Sequence, residues 1–588
     1  MTINTTQLYN AFIHGAQSLI AQRQSLNAIN VFPVADGDTG TNMASTVEAI
    51  LRHGQLKEGM AETLASITNA VALNARGNSG AIFAQFVIGL NETLPDRELD
   101  DKDVVIGLQE AVKRVYSALS HPVEGTMITV MRLWVSELEH RISKGHDLKE
   151  AFDKALLRAH EVLKDTPNLL TVLKEHHVVD SGAKGFVHFL EGFSQGLFTK
   201  SKPTIALEDS LSFEDSHLAD AHETITYRYC TEALVEGEIG DIKARLDELG
   251  DSVLIVKSHR FTKIHLHTNT PDQVMALLET QGKLIQQKAD DMILQHADFT
   301  PHAEIALWTD SIADLPASVI LEHKIHVMPL TIMVEGSPYL DRLTLPASRF
   351  YDRVNTFKEY PSSSQPNQKA VEARFKALLG NYKHVLAITV SSGMSGTHAV
   401  VKAAAAAFDG RVTVIDSKKN SGAQGLLVLQ TAELIAKGQT LESIVKTLND
   451  SIPNTHIFVS VDTLKYMVKM GRISPVVGRI AKWVNLKPIV SIDPNGKGVT
   501  MGSAFSKAQT ESKILKQIDN LLKLNDLVSY AIVHGNDPQR AERFTRVLSD
   551  KLGQAPAFVE EVSTIVAMSA GPKTVAVALQ LIPKSSQS

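Results

Sequence analysis

Apolar positions in the first 200 residues recur with the spacing of an α-helix. Stripes of this spacing lie around residues 8–20, 60–73, 102–119, 126–143 and 147–163. Small polar residues cluster between the stripes, and few β-branched alternating runs interrupt them. The pattern predicts an all-α bundle over residues 1–200, in which loops at one end bring the polar clusters together.

The pattern changes after residue 200. Residues 201–223 are acidic and hydroxyl-rich without an apolar stripe, which is typical of a linker. Residues 224–300 contain the short strand patterns ITYRYCTEALVEG, SVLIVKSH and TKIHLHTN with a helical pattern between the first two, so a small α/β domain is expected.

The remainder, residues 301–588, alternates strands and helices. The strand patterns EIALWTDS, HVLAITVSS, RVTVIDS and HIFVSVD are nearly continuous apolar runs. Such runs between helices predict a mainly parallel sheet covered on both faces. The later hairpin pattern KPIVSIDPNGKGVTM and a strand–helix pair around SYAIVHGND indicate a second lobe.

Composition narrows the function. The 588 residues include one cysteine, so no internal disulfide is possible, and the amino terminus has no signal-peptide pattern. The net charge of −6 without a basic block argues against nucleic acid as a partner. We expect a cytoplasmic protein whose partner is a small molecule or another protein.

The loop DGDTGTN, residues 36–42, carries two aspartates. Asp36 and Asp38 alternate along an extended turn, so both carboxylates can share a hard cation such as Mg²⁺. An EF-hand is excluded because Thr41 and Val47 stand where its glycine and glutamate belong. A tight turn with a helix cap uses the same residue types, and the loop alone leaves both interpretations open.

The loop NARGNSG, residues 74–80, precedes an apolar helix pattern. Its backbone N–H groups at the helix start favour phosphate, although a simple helix cap would have the same composition. Neither the P-loop nor the dinucleotide pattern is present, so a nucleotide site here would be of a different kind.

The motifs NVFPVADGDTGTNM, NARGNSGAIFAQF, HPVEGTMITVMR and LKEHHVVDSGAKGF resemble those of the dihydroxyacetone-kinase L-type (DhaL) domain in its fatty-acid kinase version. The resemblance implies an eight-helix barrel that binds ATP through two Mg²⁺ ions on Asp36 and Asp38. The nucleotide-side positions it implies are Asn42, Gly77, Asn78, Ser79, Thr126 and Asp180. The sugar-kinase branch has a further aspartate where this sequence has Asn30 and Val31, which leaves the third metal ligand unassigned.

The middle segment resembles the central domain of the same kinase through YRYCTEALV and KIHLHTN. Cys230, His265 and His267 are candidate zinc ligands, because the alternating HLH places both imidazoles on one face of a strand. Ordinary strand histidines and a buried thiol are the alternative, since a structural zinc site usually has four ligands. We expect a structural site far from the phosphoryl chemistry.

The last segment resembles the DegV family of fatty-acid-binding proteins. The motifs are TDSIADLP, SSSQP, SSGMSGTH, IDSKKNSGAQG, KMGRIS and MSAGPKTVAVAL. On that pattern Ser363 and Ser395 hold the fatty-acid carboxylate, and Arg472 lies near the carboxylate or its phosphate. Ser569 occupies the position at which the family usually has a head-group histidine, and it cannot supply positive charge.

Together these resemblances predict an ATP-dependent kinase that phosphorylates the carboxylate of a DegV-bound fatty acid. Other DegV-type carriers and an acyl-phosphate acyltransferase are the expected partners, and a homodimer is the expected assembly. Two alternatives stay open: a lipid-binding regulatory protein with a nucleotide-sensing domain, and a kinase of small hydroxyketones such as glycerone.

Overall fold

The computed structural model describes residues 2–32, 37–119, 122–199, 225–237, 239–257, 260–298, 303–471 and 487–584. The chain divides into two compact units, Met1–Phe299 and Thr300–Ser588. The predicted linker, residues 201–223, lies outside the described residues. Within the described ranges, no helix combines the length and the apolar character that crossing a membrane requires.

In the first part of unit 1, residues 2–32, 37–119 and 122–199 form ten helices. They are α1 (Thr5–Ala21), α2 (Arg23–Asn27), α3 (Thr39–His53), α4 (Met60–Asn74), α5 (Gly77–Thr93), α6 (Asp101–Ala118), α7 (Met127–Ser143), α8 (Leu148–Leu169), α9 (Thr171–Glu175) and α10 (Ser181–Phe198). Eight of them are long and two, α2 and α9, have five residues each. The predicted all-α class is confirmed.

Aromatic rings form the centre of this helical core. Phe83 and Phe189 meet edge to face with ring centroids 4.8 Å apart, and Phe12 meets Phe193 in the same way at 5.3 Å. The helices α1 and α10 approach closely, because a Cβ atom at Gly192 would meet the backbone of α1. The packing holds α1, α5 and α10 against one another.

The middle domain completes unit 1. Its elements are β1 (Tyr229–Glu236), α11 (Lys243–Asp247), β2 (Gly250–Lys257), β3 (Phe261–Thr268), α12 (Pro271–Glu279), β4 (Lys283–Asp291) and α13 (Met292–Asp298). The four strands form an antiparallel sheet in the order β2-β3-β1-β4. The strand β4 was not predicted from the sequence. The middle domain shares a core with the helices, since Leu254 and Val256 of β2 belong to the helical hydrophobic cluster.

Unit 2 has two lobes. The first contains β5 (Ile305–Asp310), α14 (Ala317–Glu322), β6 (His326–Met328), β7 (Thr331–Val334), β8 (Ser337–Leu340), α15 (Ala347–Arg353), β9 (Ser362–Ser364), α16 (Gln368–Asn381), β10 (His384–Thr389), α17 (Thr397–Ala405), β11 (Val412–Asp416), α18 (Ser421–Ala436) and α19 (Leu441–Ser451). A parallel sheet has the order β11-β10-β5-β6, and a smaller antiparallel sheet has the order β8-β7-β9.

The second lobe contains β12 (Thr455–Ser460), α20 (Lys465–Lys469), β13 (Lys487–Ile492), β14 (Gly498–Ala504), α21 (Lys507–Leu524), β15 (Asn525–Gly535), α22 (Pro538–Leu552), β16 (Phe558–Glu561), α23 (Thr564–Ala570) and β17 (Thr574–Pro583). Its sheet has the order β14-β13-β12-β17-β15-β16, and only the pair β15–β16 is parallel among these described strands.

The predicted two-lobed α/β class with a parallel sheet is confirmed. The sequence grouped HIFVSVD with the parallel strands, whereas the structure places it as β12, paired antiparallel with β13 and β17. An apolar run of this length fits the centre of either kind of sheet, so the run alone does not determine its partners.

Candidate functional site

A small pocket in unit 1 gathers residues from the helical and the middle domains. It has a volume of about 40 Å³. Its lining consists of Asn30, Asp38, Thr39, Asn42, Gly77, Asn78, Ser79, Cys230, His265 and His267. Asp36, the other predicted Mg²⁺ ligand, lies outside the described residues. The volume suits an ion or water molecules rather than a whole organic ligand.

Asp38 stands at the start of α3, directly before Thr39. The buried amide oxygen of Asn30 accepts the backbone N–H of Thr39 at 2.8 Å, which fixes the turn that presents Asp38. Asn30 therefore lines the pocket itself, at the place where the sequence left a metal ligand unassigned. Its amide oxygen is a ligand type that hard cations accept.

Cys230, His265 and His267 lie together on one face of the middle-domain sheet. Cys230 of β1 is opposite His267 of β3 in the antiparallel register. One ligand atom from each of the three residues lies within 4.8 Å of the others, and the Sγ of Cys230 is 3.9 Å from the Nδ1 of His265. The Nε2 of His265 is buried without a hydrogen-bond partner in the described residues. A sulfur and two imidazoles are a donor set that fits a transition metal such as zinc.

The structure places this cluster beside the residues that were predicted to face the phosphates. Cys230 and both histidines line the same pocket as Asp38, Asn42 and Ser79. The strand β2 shares a hydrophobic core with the helices, and the sheet residues Cys230, His265 and His267 line one pocket with Asp38.

Burial shifts the pKa values of Cys230 and His265. It raises the pKa of Cys230 well above its ordinary value, and the negative charges of Glu232, Asp290 and Asp38 act in the same direction. Burial lowers the pKa of His265, although its hydrogen bond to Glu232 opposes the change. A metal ion would favour the thiolate and the neutral imidazoles at this face.

A larger pocket of about 220 Å³ adjoins the first and shares Asn78 and Ser79 with it. Its other lining residues are Phe32, Ile82, Leu119, Val123, Thr126, Met127, Ile128, Asp180, Asp251, Ser252 and Val253. The mixture of apolar side chains with a few polar groups is typical of a site for a planar organic group.

Asp180 begins α10 and is buried. Its Oδ1 accepts the backbone N–H of Ala183 at 2.7 Å. Burial raises the pKa of Asp180 to about 7, against hydrogen bonds from the N–H groups of Ala183 and Met127 that lower it. Thr126 precedes α7, and its hydroxyl donates to the carbonyl of Val123 at 2.8 Å. Asp180 and Thr126 line the larger pocket, and their hydrogen bonds also hold the backbone beside them.

Two charged residues of the middle domain were missed by the sequence analysis. Glu232 of β1 accepts the backbone N–H of Gly77 at 3.0 Å, and Lys263 of β3 donates to the carbonyl of Ala75. Residues two positions apart on a strand lie on the same face of the sheet. Glu232 therefore shares a face with Cys230, and Lys263 shares a face with His265. This is the face of the metal-type cluster, which consists of Cys230, His265 and His267. This alternation in the sequence could have identified Glu232 and Lys263 as residues near the cluster.

The predicted residues of unit 2 lie on separate elements around the parallel sheet. Ser363 is exposed on β9, Ser395 is half-buried before α17, and Ser569 is half-buried in α23. Arg472 lies outside the described residues. The hydroxyl of Ser395 is 2.9 Å from that of Thr397 and accepts the backbone N–H of Thr397 at 3.2 Å.

Residues near Ser363 contact the neighbours of Ser569 and Ser395. The Oη of Tyr360 donates to the carbonyl of Met568 at 2.7 Å, beside Ser569. A Cβ atom on Gly396, beside Ser395, would meet the side chain of Gln365. Contacts of Tyr360 and Gln365 therefore connect the segment of Ser363 with the neighbours of Ser569 and Ser395.

Three buried carboxylates accept hydrogen bonds from backbone N–H groups that follow β10 or lie at the start of α23. The Oδ2 of Asp310, at the end of β5, accepts the N–H of Val390 at 2.7 Å, and the Oδ1 of Asp314 accepts the N–H of Ser563 at 2.7 Å. The Oδ1 of Asp341 accepts the N–H of Thr564, at the start of α23, at 2.8 Å. Burial raises the pKa of all three carboxyl groups, to about 6 for Asp310 and Asp341 and about 7 for Asp314.

Comparison with known families accounts for nearly all of this architecture. A DAK2 domain model matches residues 33–195, and a model of the fatty acid kinase (FakA-like) middle domain matches residues 226–299. A DegV family model, described as an uncharacterised protein family, matches residues 304–581. The chain combines a DAK2 domain, a FakA-like middle domain and a DegV domain. The resemblance seen in the sequence is thereby confirmed.

Curated relatives are similar over part of their length. An uncharacterized protein of Staphylococcus haemolyticus is 33% identical over 313 residues, which cover 50% of this chain and 56% of the relative. An uncharacterized protein of Staphylococcus aureus strain USA300 is also 33% identical over 313 residues, covering 50% and 57%. The chain spans about half the length of these relatives.

Solved structures resemble about half of the chain. A fatty-acid-binding DegV family protein from Thermus thermophilus is 27% identical with a TM-score of 0.45, covering 47% of this chain and 100% of that protein. DegV from Bacillus subtilis, described as a fatty acid binding protein, is 26% identical with a TM-score of 0.43, covering 48% and 100%.

Proposed function

We propose that this protein is an ATP-dependent fatty-acid kinase that carries its own acyl substrate in the DegV domain. The observation that carries the proposal is the union of a DAK2 domain, a FakA-like middle domain and a DegV domain in one chain, with DAK2 and middle-domain residues lining one pocket. In the reaction, the γ-phosphoryl group leaves the β,γ-bridging oxygen of ATP and bonds to a carboxylate oxygen. The products are ADP and an acyl phosphate.

The residues of unit 1 would bind and orient the nucleotide. The larger pocket would receive the base, with Thr126 and Asp180 in its walls, and Asn78 and Ser79 would face the phosphates where the two pockets meet. Asp38, with Asp36 on the sequence pattern, would hold Mg²⁺, which supplies charge neutralisation for the phosphates. A fatty-acid carboxylate is ionised at neutral pH, so the chain needs no general base for its acceptor.

Cys230, His265 and His267 are proposed to hold zinc beside these residues. The unpartnered Nε2 of His265 and the convergence of the three ligand atoms support this assignment. Three protein ligands would leave the ion able to accept a further ligand. The ion would therefore belong to the nucleotide site rather than to a distant structural element.

The DegV domain would present the acyl substrate. Hydroxyl groups on Ser363, Ser395 and Ser569, with Arg472, are the groups proposed to bind the carboxylate. Because carrier and kinase share one chain, the acceptor would have a high effective concentration, commonly millimolar where a linker can span the two sites. A cytoplasmic location agrees with the single cysteine.

The proposal is tested by ADP release from the pure chain with ATP and Mg²⁺, with and without oleate. We expect ADP release that depends on oleate. ATP turnover that oleate does not stimulate, alone or with separate DegV proteins, would favour a nucleotide-sensing role. Stimulation by glycerone instead would indicate the hydroxyketone kinase.

A further inference from the structure

The middle domain contacts the glycine-rich loop between α4 and α5 through two buried charges. The Oε1 of Glu232 accepts the N–H of Gly77 at 3.0 Å, and the Nζ of Lys263 donates to the carbonyl of Ala75. The two charged groups also pair with each other, with 3.3 Å between the Nζ of Lys263 and the Oε2 of Glu232. Their side chains are only 13% and 8% exposed.

Each charge has the sign that its helix end favours. Ala75 follows the carboxyl end of α4, where the helix dipole is negative, and Lys263 brings a positive charge there. Gly77 is the first residue of α5, where the dipole is positive, and Glu232 brings a negative charge. The dipole of each helix therefore stabilises the charge at its own end, and exchanging the two charges would lose this stabilisation.

The loop has a conformation that needs such support. Gly77 has a φ of +58°, in the left-handed region, and a Cβ atom there would meet the side chain of Asn42. The next two residues, Asn78 and Ser79, are the ones that line both pockets. Because Glu232 already accepts the N–H of Gly77, that group is not available to a phosphate.

Glu232 also faces the cluster of Cys230 and the two histidines. Its Oε1 is 3.5 Å from the Nδ1 of His265, its cross-strand neighbour. One carboxylate thus contacts both the loop and the imidazole that faces the pocket.

We propose that Glu232 and Lys263 are positioning residues through which the middle domain holds residues 75–79 in the conformation that presents Asn78 and Ser79 to a nucleotide phosphate. This inference rests on the proposed function for the identity of the ligand. The contact itself does not depend on that identity, which allows the two to be tested separately.

The first test is hydrogen exchange, followed by mass spectrometry, on the full chain without nucleotide. We expect peptides that cover residues 75–80 to exchange about 10-fold faster in Glu232→Ala and in Lys263→Met, because the N–H of Gly77 and the carbonyl of Ala75 lose their partners. Arg228→Met is the matched control, since Arg228 forms a similarly buried pair with Asp291 in the same sheet, at 2.6 Å. Unchanged exchange in both test variants would overturn the proposal, as would an equal increase in the control.

The second test is the dissociation constant of a fluorescent ADP analogue with Mg²⁺. We expect it to rise about 10-fold in Glu232→Ala and Lys263→Met and to stay unchanged in Arg228→Met. If the parent chain fails to bind the analogue, the proposed function fails while the exchange experiment still decides on the contact. If the parent binds and both test variants bind equally well, the positioning role fails alone.

Glu232→Gln keeps the test decisive if the alanine variant does not fold. Glutamine retains an acceptor for Gly77 but removes the charge that faces Lys263 and the start of α5. We expect about 3-fold faster exchange of the same peptides, and unchanged exchange in the folded variant would contradict the proposal.

Discussion

Glu232 of the middle domain accepts the backbone N–H of Gly77 at the start of α5, at 3.0 Å. Gly77 begins the helix whose first turn also carries Asn78 and Ser79, and Glu232 lies two positions along its strand from Cys230. The middle domain thus contributes to the wall of the proposed nucleotide site. This relationship connects the metal-type cluster, the glycine-rich loop and the DGD loop in a single region of unit 1.

Replacing Asp38 tests the proposed Mg²⁺ site. In Asp38→Asn the carboxylate becomes a neutral amide of the same shape, so we expect the fold to persist and oleate-dependent ADP release to fall by about 100-fold or more. Asp153→Asn, at an exposed position of α8, is the control and should keep the activity of the parent. Full turnover in Asp38→Asn would remove Asp38 from the metal site.

Replacing Cys230 or His267 tests whether the metal-type cluster belongs to the proposed nucleotide site. We expect Cys230→Ala and His267→Ala to lose bound zinc, measured by metal analysis, and to bind the ADP analogue more weakly, because the cluster lines the pocket of Asp38. His53→Ala, at an exposed position of α3, should change neither quantity. Loss of zinc with unchanged nucleotide affinity would support a structural site instead.

The raised pKa of Asp180 predicts a pH dependence of stability. The ordinary carboxyl value is 3.8 and the folded value about 7, so between these values the folded chain binds more protons than the unfolded chain. The free energy of unfolding therefore falls as the pH rises from about 4 to about 7, by roughly 4 kcal/mol at most for this group.

Asp180→Asn should remove this contribution. We expect the difference in unfolding free energy between variant and parent, measured by denaturant titration, to increase in favour of the variant as the pH rises through that window. Asp153→Asn should track the parent at every pH. A difference between Asp180→Asn and the parent that is constant from pH 4 to pH 8 would show that Asp180 has an ordinary pKa.

A serine hydroxyl near α17 is predicted to bind the fatty-acid carboxylate. Loss of a hydrogen bond to a charged group costs about 1.5–3 kcal/mol, so Ser395→Ala should weaken oleate binding by about 10-fold or more. Displacement of a fluorescent fatty acid measures the affinity, and Ser443→Ala on α19 is the control. Equal oleate affinity in Ser395→Ala and the parent would place the carboxylate elsewhere.

The fold class followed from periodicity where elements are long or strongly alternating. The helical stripes predicted the bundle, and the alternation around His265 and His267 predicted β3. The strand β4 was missed because it is an edge strand in the order β2-β3-β1-β4 and most of its residues are polar. The placement of β12 depends on pairing with residues 575–580, more than 100 positions away, which no local pattern contains.

The motifs indicated which loops carry the chemistry but not which groups support them. Asp38, Asn42, Asn78 and Ser79 line one pocket, and their roles there remain predictions. The contact of Glu232 with Gly77 was not predictable, because it depends on how the middle domain packs against the helices. Packing of this kind is set by buried side chains such as Leu254 of β2, whose neighbours lie far away in the sequence.

Trapping the acyl phosphate would decide whether this chain phosphorylates a fatty acid. The full chain would be incubated with ATP, Mg²⁺ and oleate, hydroxylamine would be added, and the products would be analysed by mass spectrometry, with Asp38→Asn as the inactive control. We expect oleoyl hydroxamate from the parent chain in amounts that match ADP release. ADP release without hydroxamate, or no hydroxamate with this chain or with separate DegV carriers, would contradict the proposed kinase activity.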